Sequence, residues 1–305
     1  MSKRSAILSH SSPTTARKST LLGLAAVLMW SASVGLMRSI TELLGPLGGS
    51  AAIYTASAAF AIAAFGLKWR GISLVYLLGG GALFVGYEAS LALAIGLAHS
   101  REQSLEVGMI NYLWPSLTVV LAVVAKQQRG SWLLVPALMV CLVGIVLVMT
   151  GDGDWSPQML WRNVQSNPLA YSLALGAAFL WALYSLIARK FGNGANAVPA
   201  FLLATAILLW TKYAFSDEPA LSASWPAALQ LIAMGLLTAA AYTCWDFAVQ
   251  RGNLTVLATI SYFTPVFSML LASVWLGVHI GMGFLYGVLL VTAGSLACWW
   301  ATRDR

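Results

Sequence analysis

Glu88 lies deep inside the apolar run 73–97, with Gly86 and Tyr87 just before it. An ionisable side chain at mid-helix in a membrane costs about 2.5–3.5 kcal/mol on insertion scales, so its presence there asks for a function or a partner. Two chemistries fit: a proton or substrate-amine site, or a structural acceptor for serine and tyrosine hydroxyls. Trp30, Trp114, Trp181 and Trp245 also sit within apolar runs, where each indole N–H needs a partner away from bulk water. Ser31, Ser33, Tyr184 and Ser185 accompany the first and third of them, while Tyr87, Asn111, Tyr112, Tyr242 and Tyr262 add hydroxyl and amide groups. Trp30, Ser33, Tyr87, Asn111, Trp114, Trp181, Ser185, Tyr242 and Tyr262 would together line a cavity with aromatic walls and a few neutral polar groups. The same set would also serve as an aromatic helix interface with its hydrogen bonds satisfied internally. Asp246 lies near Arg251 and reads as a salt bridge or a snorkelling side chain; His99, Arg101, Glu102 and Glu106 belong at a mouth.

The elements that must position these groups are membrane helices. Hydrophobic residues make up 59% of the chain and charged residues 9%, against about 25% charged in soluble domains. A bilayer core needs about 20 apolar residues per helix, and the sequence offers ten such runs: 20–37, 46–67, 73–97, 104–125, 132–150, 168–188, 197–215, 226–249, 254–276 and 281–301. Pro115 and Pro265 fall in the middle of the fourth and ninth. A proline there removes one backbone hydrogen bond and clashes with the preceding turn, so a kink is expected, either a fixed packing kink or a hinge. Gly86, with Gly79, Gly80, Gly81 and Gly235, would soften neighbouring helices or permit close packing.

The chain repeats itself. Tyr112-Leu113-Trp114-Pro115 returns as Tyr262-Phe263-Thr264-Pro265, and Trp30…Arg38 returns as Trp181…Arg189, offsets of 150 (265 minus 115) and 151 (181 minus 30). Two copies of one unit are expected, 20–150 and 168–305, joined by a linker at 151–167 and preceded by a cytoplasmic tail at 1–19. The tail followed by an apolar segment could pass for a signal peptide, but segment 20–37 is the partner of 173–190, and its removal would leave one half a helix short. Lys and Arg give the orientation. With the N-terminus inside, thirteen of the seventeen fall on the cytoplasmic side, and Arg38, Arg101, Arg162 and Lys212 fall outside. Five spans per half then place the two copies in opposite orientations, an arrangement from which alternating access follows when the halves exchange conformations.

This pattern resembles the drug/metabolite transporter superfamily, in particular bacterial inner-membrane exporters built from two EamA-type domains. The resemblance covers nearly the whole chain after residue 19. It implies an all-α integral membrane protein of ten spans as two inverted five-helix repeats, with both termini inside and residence in the bacterial inner membrane. One feature departs from it: the family often places a glutamate after the fourth helix of each repeat. Here those stretches read Ala125-Lys126-Gln127-Gln128 and Gly277-Val278-His279-Ile280, with no carboxylate.

Negative evidence narrows the chemistry. Span 20–37 has no acid of the kind small-cation exporters use, and no span centre has the Lys or Arg that a sugar-phosphate carrier needs. A neutral or zwitterionic amphipathic molecule fits, with aromatic and large hydrophobic amino acids fitting best; a broad drug or metabolite exporter is the alternative. An intramembrane enzyme lacks any HExxH, GxSxG or aspartate-rich signature, and a channel would want a symmetric oligomer or rigid filter. Cys141, Cys244 and Cys298 lie in apolar runs without paired spacing, so neither disulfide nor metal is expected. No cofactor, no nucleic acid and no obligatory oligomeric partner is expected; membrane lipid is.

Overall fold

The computed structural model describes residues 13–67, 71–126, 131–150, 157–192, 195–222, 224–251 and 261–301. Most of the expected tail (1–12), the start of the linker (151–156) and the start of the ninth run (254–260) lie outside the described residues, as does the expected Asp246–Arg251 pairing. The described regular structure is entirely helical. In chain order the helices are α1 (Pro13–Ser31), α2 (Ser33–Leu44), α3 (Pro46–Phe65), α4 (Gly81–Gly96), α5 (Arg101–Asn111), α6 (Trp114–Val124), α7 (Leu134–Thr150), α8 (Pro157–Ser166) and α9 (Pro168–Phe191). They continue with α10 (Val198–Ala214), α11 (Trp225–Arg251), α12 (Thr264–Leu276) and α13 (Met282–Ala301).

Among the described residues, seven helical stretches are long and apolar enough to cross a membrane: Leu21–Leu44, Pro46–Phe65, Val75–Gly96, Arg101–Val124, Pro168–Ala188, Trp225–Trp245 and Met282–Ala301. Leu134–Met149, Val198–Ala214 and Thr264–Leu276 are shorter apolar helices. Large apolar side chains face outward along the bundle, Val274 at 83% and Val124 at 72% exposure among them. Water would not tolerate so extensive an apolar surface, whereas lipid requires it. The chain is a multi-pass membrane protein.

Three local features differ from the expected plain spans. The first stretch runs on to Leu44 and is broken at Ala32, whose N–H bonds to the Met29 carbonyl at 3.2 Å in a tight turn. Arg38, expected in an outer segment, therefore sits inside α2 and is buried. Second, Pro115 and Pro265 do not bend continuous helices: each stands in the first turn of a new one, α6 or α12. A proline costs nothing there, because its absent N–H would have had no helical partner. Tyr112 and Leu113 form the turn that separates α5 from α6, with N–H groups bonded to the Met109 and Ile110 carbonyls at 3.0 and 3.1 Å. Third, a π-helical turn, Val75–Gly80, leads into α4, and the stretch expected as a linker includes the amphipathic helix α8.

Packing is dominated by contacts between early and late helices. α1 lies against α11 and α4 against α9; α3 lies against α10, α7 against α13, α6 against α9, and α2 against α12. The core is thus formed where the two parts of the chain meet, and that meeting surface holds the polar and aromatic groups considered next.

Candidate functional site

Glu88 is 5% exposed and held from two sides. The Tyr54 hydroxyl of α3 donates to Oε2 at 2.6 Å, and the Tyr242 hydroxyl of α11 donates to Oε1. A buried carboxylate without donors would be severely destabilising; two tyrosines, one from each part of the chain, meet that requirement. Tyr242 alone among these partners comes from the second part of the chain, so the bond to Glu88 also ties α11 to α4.

Around this centre the rings form one continuous cluster. Trp181 of α9 lies 4.5 Å from Tyr87, 5.0 Å from Tyr184, 6.2 Å from Trp114 and 6.1 Å from Tyr242, centroid to centroid. Trp30 of α1 lies 5.4 Å from Tyr242 and 5.2 Å from Trp245. The two repeat-related tryptophans therefore sit alike: Trp30 packs on α11 and Trp181 packs on α4. Phe84, fully buried, joins Trp181 to Tyr242, the ring on which Trp30 packs, and contacts Trp181, Tyr184, Phe201 and Tyr242 at 5.4–6.1 Å. These centroid separations lie in the range of favourable edge and offset aromatic contacts.

Of the residues singled out in the sequence, Trp30, Tyr87, Trp114, Trp181, Tyr242 and Glu88 converge here. Asn111 closes α5 and lies by the Tyr87 hydroxyl, with its Oδ1 buried and without a hydrogen-bond partner; the Trp30 Nε1–H is likewise unpaired. Ser33 and Ser185 serve the backbone, donating to the Trp30 and Trp181 carbonyls at 2.6 and 2.8 Å. Tyr262 is buried but, among the described residues, makes no ring contact with the cluster; it lies by Cys141 and Cys298. Gly86 faces α9, where an added Cβ would meet Leu180 Cδ1 at 3.3 Å. Tyr54, Phe84 and Phe201 were not singled out. For Tyr54 a signal existed, since a buried acid demands a donor and α3 holds one tyrosine; for the two phenylalanines, apolar residues among apolar residues, none did.

One end of the bundle is tied by charge. Arg38 donates to Glu42 at 2.9 Å and to the Ile95 and Ala98 carbonyls at 3.2 and 2.5 Å, at the C-terminus of α4, where a helix favours positive charge. Glu42 also receives Arg101 at 2.7 Å, and Arg101 Nη1 donates to the Leu276 carbonyl of α12 at 2.7 Å. At the same end Tyr171 donates to Glu106, and Asn167 donates to the Leu97 carbonyl at 2.8 Å. Glu218 accepts the Leu47 and Gly48 N–H groups at the start of α3, at 2.8 and 3.0 Å. Gly45, at φ +81°, allows that approach: a Cβ there would lie 2.6 Å from Glu218 Oε2.

A helical multi-pass protein whose polar groups are buried where two sets of helices meet has the layout in which secondary transporters place their substrate sites. Comparison with known proteins agrees. Residues 168–299 match the EamA-like transporter family. The aromatic amino acid exporter YddG of Salmonella typhimurium is 42% identical over 292 residues, covering 95% of this chain and all of that one. YddG of Escherichia coli K12 is 42% identical over 290 residues, 95% of this chain and 99% of that one. YddG of Ancylobacter novellus is 30% identical over 266 residues, 83% and 86% of the two chains. A solved crystal structure at 26% identity superposes with a TM-score of 0.67 over 93% of this chain and 98% of its own. The chain belongs to the EamA-like transporter family, and it is a membrane transporter rather than an enzyme.

Proposed function

We propose that this transporter exports aromatic and other large hydrophobic amino acids across the bacterial inner membrane by alternating access. The observation that carries the reading is the Glu88-centred aromatic cluster, in a chain 42% identical end to end to two aromatic amino acid exporters. Trp30, Ser33, Tyr87, Asn111, Trp114, Trp181, Ser185, Tyr242 and Tyr262 form or support the substrate path, and Glu88 is the proton or amine site. Substrate opens the cluster from one side and leaves by the other. The rings supply stacking surface for an aromatic side chain, and the few polar atoms orient its backbone groups.

In this reading the ten apolar runs all cross the bilayer, as inverted repeats 20–150 and 168–305 with both termini inside, and 151–167 links them on the periplasmic side. The support is reciprocity of packing. α1 against α11 is the counterpart of α9 against α4, and α2 against α12 is matched by α6 against α9. The charged ties at Glu42, Arg101 and Leu276 then close the outer end, and motion centres on Pro115, Pro265 and Gly86.

The test is uptake of labelled tryptophan, phenylalanine and threonine into proteoliposomes, with and without a pH gradient. Saturable, counterflow-competent aromatic uptake supports the reading. A pH-driven component should vanish in Glu88→Gln if Glu88 carries the proton. Uptake no greater than in empty liposomes would shift the substrate to another hydrophobic metabolite.

A further inference from the structure

Tyr242 reaches Glu88 from the opposite set of helices, and the charge inventory around that contact is one-sided. Glu88 is a carboxylate at the heart of the cluster, and among the described residues no basic side chain joins it there. Arg38 is committed to Glu42, Ile95 and Ala98, and Arg101 to Glu42 and Leu276. Lys190 lies over the Phe191 ring at 5.3 Å, and Lys212 is in the last turn of α10. The unpaired polar atoms in the cluster add one acceptor, Asn111 Oδ1, and a single neutral donor, Trp30 Nε1–H. A zwitterionic amino acid therefore meets strong complementarity for its ammonium and little for its carboxylate.

We infer that the site recognises its cargo through the ammonium group, which takes the place of the Tyr242 hydroxyl on Glu88, and that aromatic primary amines lacking a carboxylate are substrates as well. The inference rests on the aromatic cluster being the substrate site. An ammonium has three donors and a full charge, and its bond to a carboxylate is roughly twice as strong as that of a neutral hydroxyl. Its positive charge also suits the faces of the surrounding tryptophan and tyrosine rings. Tyr54 stays on Oε2 and keeps the carboxylate oriented. Releasing Tyr242 removes the hydrogen bond that joins α11 to α4 at this point, so loading the amine loosens the contact between the two sets of helices. A neutral ligand of the same shape would leave that contact in place.

The experiment uses the full-length protein in proteoliposomes and compares three indoles as inhibitors of labelled tryptophan uptake: unlabelled tryptophan, tryptamine without the carboxylate, and 3-indolepropionate without the amine. Tryptamine is expected to inhibit within about tenfold of tryptophan, and 3-indolepropionate to be weaker by roughly 100-fold or more, because a site built to pair a substrate N–H rejects the analogue that lacks it. Equal inhibition by both analogues, inhibition by neither, or the reverse order would each overturn the inference. Labelled tryptamine is measured directly in parallel. If tryptophan is not carried at all, the amino acid reading fails, while saturable tryptamine uptake would still uphold the ammonium site and its absence would refute it. Two variants read the exchange itself. Glu88→Gln should abolish the advantage of tryptamine over 3-indolepropionate. Tyr242→Phe, which removes the competing hydroxyl, should tighten tryptamine binding severalfold; weaker binding there would refute displacement.

Discussion

In the orientation proposed above, removal of Arg101 should open the outer end of the transporter. Its guanidinium meets Glu42 at 2.7–3.2 Å and the Leu276 carbonyl of α12 at 2.7 Å. The side chain is 48% exposed and Glu42 26% exposed, so the ion pair itself is worth only about 0.2–1 kcal/mol after solvent screening. The charged hydrogen bond to Leu276 is partly buried and adds about 1 kcal/mol. Arg101→Ala should then favour the open form by about 1–2 kcal/mol, a factor of roughly 5–30 in the open-to-closed ratio. The assay is alkylation from the periplasmic side, by an impermeant maleimide, of a cysteine replacing fully buried Met109 in a background with Cys141, Cys244 and Cys298 replaced. Labelling should speed up by that factor in Arg101→Ala and by less in Arg101→Lys, which keeps a charge but loses the forked geometry. An unchanged rate in Arg101→Ala, with the same cysteine accessible once substrate is added, would refute the idea that this tie holds the end closed.

The remaining expectations concern scaffold and motion. An added Cβ at Gly287 would lie 2.5 Å from the Gly144 carbonyl oxygen and 2.7 Å from the Val148 nitrogen, so Gly287→Ala should destabilise the α7–α13 pair by about 1–3 kcal/mol. Gly176→Ala, which meets nothing within 4 Å, should be neutral or slightly stabilising, and melting in detergent compares the two directly. Glu218→Ala removes the acceptor for the first N–H groups of α3 and should cost about 0.5–2 kcal/mol in the same measurement; an unchanged melting temperature would show that solvent satisfies them. Pro115→Ala and Pro265→Ala should lower turnover several-fold more than they weaken substrate binding, because the breaks before α6 and α12 would become continuous helix. Unchanged turnover in both would leave the prolines as packing features.

Much of the protein is legible in the sequence because partition between water and lipid is a local sum over neighbouring residues. The apolar runs, the repeat offset near 150, the standing of Glu88 as an acid out of place in an apolar run, and the paired Trp30 and Trp181 all follow from residue types and spacing. What Glu88 binds does not: Tyr54 is 34 residues away and Tyr242 is 154, and no periodicity within a helix says which faces of distant helices will meet. For the same reason Tyr262, indistinguishable in sequence from the cluster tyrosines, lies by the cysteines, and Arg38, countable as an outer charge, is buried against the end of α4. The prolines mark where a helix must change, but whether the chain bends or restarts depends on the carbonyls and side chains that neighbouring helices bring to that point. Composition and spacing determined that this chain crosses a membrane and carries an acid among aromatics; the packing of one set of helices against the other decided which groups form a site.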